Sequence, residues 1–309
     1  MVSISIIVPN YNHSSYLKQR LESIFNQSYQ DFEVILLDDC STDDSWEILQ
    51  YYSTHPKVTY CIRNEVNSGS PFKQWKKGID LAKGDWIWIA ESDDWAEFEF
   101  LEELINLGSD SVVLKNCCSL RVDNIEIKQK HISWNYLDDK NSSRWDNYYK
   151  NDGRSEICEY LSYINIFPNA SAVIFKKPLS FPDIILEMKY SGDWYFWISI
   201  LEKGSVAYSP KCLNYYRNHI QTTRAIKNIE NEFLRLSEGL ICVNKARTLC
   251  GKNKLSLLNC KKYKHISKFI FKTNLKGGRL KFNSLFPKIP YYLFPYYYFY
   301  FLKSFLKYD

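Results

Sequence analysis

A chain of 309 residues accommodates one large α/β domain with an appendage, or two modest domains, and is long enough to bury a full hydrophobic core. Its charge is unevenly placed: residues 225–309 carry 17 Lys and Arg against 4 Asp and Glu, whereas the first 224 carry 23 against 31. An acidic body with a basic tail points to two jobs, and basic tails meet nucleic acid or anionic lipid. The nine cysteines form no C-x-x-C pair, the pattern of scattered, reduced thiols in a cytosolic protein rather than of a metal cluster or a disulfide framework. Val2–Pro9 lacks the basic n-region and cleavage site of a signal peptide, and no run of 18 apolar residues offers an ordinary transmembrane helix.

Ser3–Val8 is a short β-branched run stopped by Pro9, which predicts a buried strand. Turn residues follow at Pro9–Asn12. Ser14 or Ser15 can cap a helix whose apolar face is Leu17, Leu21, Ile24 and Phe25. Phe32–Leu37 predicts a second strand ending at Asp38 and Asp39, and Ser41–Asp44 is a capping cluster before a helix holding Trp46, Ile48 and Leu49. Val58–Ile62 predicts a third strand, Asn67–Pro71 a loop, Phe72–Ala82 a helix closed at Gly84, and Trp86–Ala90 a fourth strand running into Glu91–Asp94. This βαβαβαβ alternation implies a parallel sheet covered by helices on both faces. Ligands of such sheets bind beyond the carboxyl ends of the strands, where Pro9–Asn12, Asp38–Asp39 and Glu91–Asp94 all fall. From Asp110 to about Phe167 the pattern is less regular. Candidate strands lie at Ser111–Leu114 and Cys117–Val122, with a polar loop region near Asp138–Asp152. Asn169–Phe175 predicts another strand and Ser191–Leu201 a helix. Beyond about Arg224 the composition turns helical and Lys-rich, then aromatic.

Glu91–Asp94 supplies the oxygen ligands that a hard divalent cation needs, and a nucleotide diphosphate commonly needs such a cation to neutralise its charge. A solvated acidic turn capping the next helix is the plainer alternative. Asp39 can accept the imide N–H of a uracil or thymine base, or serve as a helix cap. Asp193 begins an aromatic helix; it is either a helix N-terminal charge or a general base for an acceptor hydroxyl. Arg217 or His219 can reach a diphosphate or a metal, or be ordinary core or surface residues. Neither G-x-G-x-x-G nor a Walker sequence is present, which argues against a dinucleotide dehydrogenase and a P-loop NTPase.

The motifs Ser5–Asn12 (SIIVPNYN), Leu21–Ser28 (LESIFNQS), Phe32–Asp43 (FEVILLDDCSTD), Asn67–Gly69, Gly78–Gly84 (GIDLAKG) and Glu91–Asp94 (ESDD), with the looser Gly192–Trp194 and Tyr216–His219, are together similar to the family 2 glycosyltransferases of the GT-A fold. The resemblance covers roughly residues 3–222. It implies an α/β fold with a Rossmann-like, mostly parallel sheet flanked by helices, extended by a helical C-terminal stretch. It implies a nucleotide-sugar donor, an inverting displacement, and Mn2+ or Mg2+ as cofactor. Pro9, Tyr11, Asp39 and Glu91 match positions around the nucleotide, Asp93 and His219 match metal contacts, and Asp193 matches the catalytic base. Two departures stand out. The first acidic residue of the D-x-D pair is Glu91, one methylene longer, and the Glu that usually precedes the base is Gly192. The loop before Gly78 also lacks a frequent Arg-Asn pair, which leaves Lys73 or Lys76, with Arg217, for the nucleotide and diphosphate.

The expected organisation is a catalytic domain over 1–222, with a nucleotide half to about 110 and an acceptor half over 111–222, followed by a basic, aromatic tail over 223–309. Ile289–Leu302 is rich in Tyr and interrupted by Pro295, and Lys261–Lys281 is dense in positive charge. That combination predicts an interfacial contact with anionic lipid rather than a span; packing on the domain or a dimer contact is the alternative. No nucleic-acid reader motif accompanies it. The expected partners are therefore a nucleotide-sugar, UDP-linked before dTDP-linked, and a glycan or lipid-linked saccharide acceptor in surface-polysaccharide synthesis, with the protein peripheral on the inner face of the cytoplasmic membrane. A metal-dependent nucleotidyltransferase and a non-catalytic carbohydrate- or lipid-surface module are the competing readings. The first would carry a Gly-rich basic loop after strand one, where this chain has Pro9–Asn12.

Overall fold

The computed structural model describes residues 4–108, 110–123, 126–130, 142–167, 169–219 and 229–251. Strands β1 (Ile4–Asn10), β2 (Phe32–Asp38), β3 (Val58–Arg63) and β4 (Trp86–Ile89) alternate with helices α1 (Ser14–Phe25), α2 (Ser45–Tyr52) and α3 (Pro71–Leu81), as the periodicity predicts. They form the parallel half of one sheet, in the order β3-β2-β1-β4. Every residue of β1 is buried, as expected of a central parallel strand covered on both faces. Side chains alternate between the two faces. Ile7, Ile35, Leu37, Ile87 and Ile89 point into the core beneath α3; Ile6, Val34, Leu36 and Trp88 point into the core beneath α1 and α2. Gly78 lets α3 lie against β1, since a Cβ there would stand 2.4 Å from Ile7 Cγ2.

The second half of the sheet is mixed. β9 (Val173–Lys176) runs antiparallel to both β4 and β6 (Val112–Asp123), and β10 (Ser205–Asn218) runs parallel to β6. The short strands β5 (Trp95–Ala96), β7 (Glu126–Lys130) and β8 (Tyr149–Asp152) pair at its margin. Helices α4 (Phe100–Ile105), α5 (Gly153–Glu156, continued by a π turn over Ile157–Leu161), α6 (Gly192–Leu201) and α7 (Ile229–Leu249) complete the described elements.

Four sequence expectations are corrected here. The two strands expected over 111–122 are one, because the polar pair that interrupts the apolar pattern is itself buried: Lys115 reaches back to the Ile105 carbonyl (2.7 Å) across the Trp86 ring. The strand expected from Asn169 begins at Val173; Asn169 instead caps a short 3-10 turn through Ser171 N–H. The α1 cap is neither Ser14 nor Ser15. Asp43, from the β2–α2 loop, accepts the Ser14 N–H at 2.9 Å and the Ser45 N–H at 3.0 Å, so one carboxylate serves two helix starts. The expectation of wholly reduced cysteines also fails, since Cys118–Cys212 and Cys158–Cys250 are disulfides. Cys118 and Cys212 are register partners on β6 and β10, and such pairs, 94 and 92 residues apart, leave no spacing signature.

The helix α7 lies within the stretch expected to be tail, and it packs against α6. Glu238 and Cys242 bond to residues 189–191, Lys245 pairs with Glu202 at 2.5 Å, and Arg154 Nη2 donates to the Leu249 carbonyl. No helix among the described residues is long and apolar enough to cross a membrane. The lysine-rich and aromatic segments assigned to a lipid contact lie outside the described residues.

Candidate active site

The carboxyl edge of the parallel strands is held by its own polar groups. Register places Asn10 beside Asp38, and the buried Asp38 accepts from Asn10 Nδ2 (2.9 Å), Ser41 Oγ (2.6 Å) and Ser41 N–H (2.9 Å). Cys40 takes a left-handed backbone (φ 62°) to close that turn. The neighbouring Asp39 faces a cleft. Its Oδ1 accepts from Asn64, Ser68 N–H and Gln74 at 2.6–2.9 Å, and its Oδ2 accepts from Ser68 Oγ alone. Oδ2 thus keeps acceptor capacity for one further donor.

At the end of β4, Glu91, Asp93 and Asp94 take three different environments. Glu91 accepts from Trp75 Nε1 at 2.9 Å; burial, then the nearby Asp93 charge, pushes its pKa up to about 8. Asp94 is fully buried and structural. It accepts from Asn169, Ser171 and the Arg217 N–H, and burial followed by Asp93 raises it to about 6. Asp93 is different. Burial alone would raise its pKa, but the 3.0 Å contact with His219 Nε2 and the charges of His13 and His219 outweigh that and hold it low. Arg20, buried behind the turn, donates Nε–H to the Glu91 carbonyl (2.8 Å) and stacks on Trp88.

On the opposite wall, Asp193 opens α6. Its Oδ2 accepts from Asn165 Nδ2 (2.9 Å) and its Oδ1 from the Trp194 N–H (2.7 Å). Gly192 is explained by crowding, since a Cβ there would meet the Phe72 ring at 2.6 Å. Two of the departures noted in the sequence, at Gly192 and in the stretch before Gly78 that holds Phe72, therefore interlock.

A cleft of about 530 Å³ separates these walls, within the usual range for a small-molecule site, and Pro9, Tyr11, Asp39, Glu91, Asp93 and Asp193 all line it. His219 approaches Asp93 from the end of β10. The remaining expected residues are placed otherwise. On α3, Phe72, Gln74 and Trp75 turn inward, so Lys73 and Lys76 point outward and bond to the Ser68 carbonyl and Asp80. Arg217 is a brace: it lies between the Tyr16 and Trp95 rings, donating to the Asp93 carbonyl (2.6 Å) and Gln19 (2.6 Å). Neither lysine nor Arg217 lines the cleft, whereas Lys189, absent from the sequence reading, does. His13, Trp75, Asn165 and Glu238 were also missed. Only His13 carried a signal, lying directly after Pro9–Asn12 at a strand end.

Among the described residues, His13, Asp93 and His219 each offer one ligand atom, and these atoms lie within 4.8 Å of one another. Two imidazole nitrogens and a carboxylate oxygen are a fitting donor set for a divalent first-row ion.

A Rossmann-like parallel half-sheet continued by a mixed half-sheet, flanked by helices, is the GT-A class of fold. The fold is similar to that of Staphylococcus aureus TarS in complex with UDP-GlcNAc (TM-score 0.55, 19% identity, 96% of this chain and 78% of that one). It is also similar to that of a Pyrobaculum calidifontis mannosyltransferase in complex with GDP-Man and Mn2+ (TM-score 0.54, 17% identity, 79% and 63%). Residues 5–171 match the Glycosyl transferase family 2 model, and the chain belongs to that family. Relatives include abequosyltransferase RfbV of Salmonella typhimurium, 30% identical over 69% of this chain and 63% of the relative. A poly(ribitol-phosphate) beta-glucosyltransferase of Bacillus spizizenii is 35% identical over 36% of this chain and 18% of the relative. The chain thus spans less than two thirds of the length of these curated relatives.

Proposed function

We propose that this chain is an inverting glycosyltransferase that moves a sugar from a nucleotide diphosphate, a UDP-sugar first and a dTDP-sugar second, to a hydroxyl of a glycan or lipid-linked saccharide in surface-polysaccharide synthesis. The observation that carries this reading is the cleft itself: Asp39, Glu91 and Asp93 form one wall, and the single carboxylate Asp193 stands on the other. The name of the Bacillus spizizenii relative, a poly(ribitol-phosphate) beta-glucosyltransferase, supports a polymer acceptor. In this mechanism Asp39 Oδ2 accepts the imide N–H of the base, and Tyr11 and Pro9 pack beside the ring. Asp193, oriented by Asn165, takes the proton of the acceptor hydroxyl as that oxygen attacks the anomeric carbon. Attack opposite the departing diphosphate inverts that carbon in one displacement. Asp93 and His219 would hold the cation, Mn2+ or Mg2+, whose charge would neutralise the leaving diphosphate. Lys189 is an exposed cation that lines this cleft.

The test is a thermal-shift panel of nucleotide diphosphates and their sugars, each with and without Mn2+ or Mg2+, followed by turnover with the donor that binds. A cation-dependent rise for UDP or dTDP is expected. The Asp193→Asn variant should keep that rise and lose transfer. No shift with any nucleotide from folded protein would sink the reading. We further assign the basic, aromatic tail to a peripheral contact on the inner face of the cytoplasmic membrane, on its sequence alone. Deletion after Lys281 should release the protein from anionic vesicles, and unchanged sedimentation with them would end that assignment.

A further inference from the structure

We propose that His13 is a third protein ligand beside Asp93 and His219, making a ready-formed site that takes a first-row transition ion before the nucleotide arrives and in preference to Mg2+. This deepens the glycosyltransferase reading and rests on it for its purpose, although the site itself stands on geometry alone. Three elements that are distant in sequence deliver the ligands: the turn before α1, the β4–β5 turn and the end of β10. Their ligand atoms already lie within 4.8 Å of one another. Metal–nitrogen and metal–oxygen bonds of about 2.0–2.2 Å put three donors on one ion about 3.0–3.7 Å apart, so closing on the ion requires side-chain shifts of up to about 1 Å.

The surroundings hold each ligand in place. Ser92 Oγ lies 2.8 Å from His13 Nδ1 and fixes that ring. The His13 and His219 rings meet edge to face at 5.4 Å, and Tyr16 packs on His219 at 4.9 Å. Arg217, itself stacked on Tyr16, bonds the Asp93 carbonyl. Partners of this kind orient metal ligands and sustain affinity. The chemistry of the set decides the ion. Mg2+ prefers oxygen donors and retains water, using one or two carboxylates plus substrate phosphates; two imidazoles favour Mn2+ and, more strongly, Co2+. A site with one carboxylate would have to wait for the diphosphate to complete its coordination. Three protein ligands do not wait, and they leave open positions for phosphate oxygens.

The experiment is titration of the full chain with Mn2+ alone, followed by the loss of the free-ion electron paramagnetic resonance signal, with no nucleotide present. One ion is expected to bind, Co2+ to compete more tightly and Mg2+ to compete only in large excess. The spin-echo modulation of the bound Mn2+ should show two coupled imidazole nitrogens in the wild-type chain, a readout independent of any variant's folding. His13→Ala should weaken nucleotide-free Mn2+ binding at least tenfold and remove one nitrogen coupling, while His55→Ala, a histidine packed on Phe25 far from the cleft, should change neither. If Mn2+ binds only together with UDP, or with a single nitrogen coupled, or equally well to the His13 variant, the third ligand is refuted while the glycosyltransferase reading survives. If Mn2+ binds alone with two nitrogens but no nucleotide follows it, the site stands and the functional reading fails.

Discussion

Glu238 on α7 grips the loop that leads into α6, the helix that Asp193, the proposed base, opens. Its side chain is 3% exposed; Oε1 accepts the Lys189 N–H at 2.8 Å, and Oε2 accepts those of Tyr190 and Ser191 at 2.7 and 2.8 Å. Three successive amides converging on one carboxylate form an anion nest, and Asp193 lies two residues further on. Replacing Glu238 by Ala leaves three buried donors without an acceptor, at about 1–3 kcal/mol each. Even the lower half of that sum is a large part of a typical domain stability of about 5–15 kcal/mol. Glu238→Gln is the better probe, because its amide oxygen still accepts while the charge and at least one bond are lost, a cost of about 2 kcal/mol. Native-state hydrogen exchange should then quicken roughly 30-fold at residues 189–191, since 1.4 kcal/mol is a factor of about ten, and remain unchanged in β1. In turnover, kcat should fall with donor KM retained, because the nucleotide wall is untouched. Equal exchange at 189–191 in both proteins, or acceleration spread equally through β1, would refute the argument that Glu238 holds this loop.

Three further outcomes are expected. Gly192→Ala should destabilise by about 1–3 kcal/mol through overpacking against Phe72, and Phe72→Ala in the same chain should recover part of it, as a double-mutant cycle in urea would reveal; strict additivity would contradict the clash. Arg217→Lys loses the flat fork between Tyr16 and Trp95 and should loosen the Asp93 turn, so that Mn2+-dependent UDP affinity falls while melting in metal-free buffer changes less; equal affinity would count against the brace. Burial first, then Lys176, lowers the pKa of Lys115 to about 8. Between that value and the ordinary 10.5 the unfolded chain holds the proton that the folded chain has lost, so stability rises with pH across the window. Lys115→Met should therefore stabilise at pH 7 and lose that advantage as pH climbs from 8 towards 10.5, measured by denaturant midpoint; a pH-independent difference would exclude the linkage.

The parallel half was legible because its signals are local. Short β-branched runs, 3.6-residue apolar faces and polar clusters at strand ends put β1 to β4 and α1 to α3 in place, and with them Asp39, Glu91 and Asp93 at one edge. The mixed half was legible only in part, because its pairing is set by distant residues. β10 is interrupted by Ser209, Pro210 and Lys211, and its register with β6 slips between Ser209 and Cys212, so no uninterrupted alternation announces it. Side-chain direction was the other blind spot. Lysines in a loop beside a phosphate site invite a phosphate role, but α3 is wound so that its Trp and Gln face inward and Lys73 and Lys76 face solvent. Arg217 was legible as a residue near the site and not as a stacked brace, because stacking needs Tyr16 and Trp95, which sit some 200 and 120 residues away in the chain.

The division of labour along the chain follows from the same geometry. The family match ends at residue 171, and the cleft residues proposed to face the nucleotide, Pro9, Tyr11, Asp39, Glu91 and Asp93, all precede that point. Asp193, the loop clamp Glu238, the crowding at Gly192 and His219 at the end of β10 all follow it. The wall that carries Asp193 therefore depends on α7, and α7 lies past residue 222, where composition alone suggests the tail begins. A truncation at 222 would remove Glu238 and Cys250 together with the segment proposed to contact lipid, so lost transfer after such a cut could not separate an unanchored enzyme from one whose proposed base, Asp193, has lost its support. A cut beyond Gly251 keeps the clamp, the Cys158–Cys250 link and the Lys245–Glu202 pair. Comparing the two cuts assigns the tail's contribution: transfer to a soluble acceptor should survive the longer chain and fail in the shorter one.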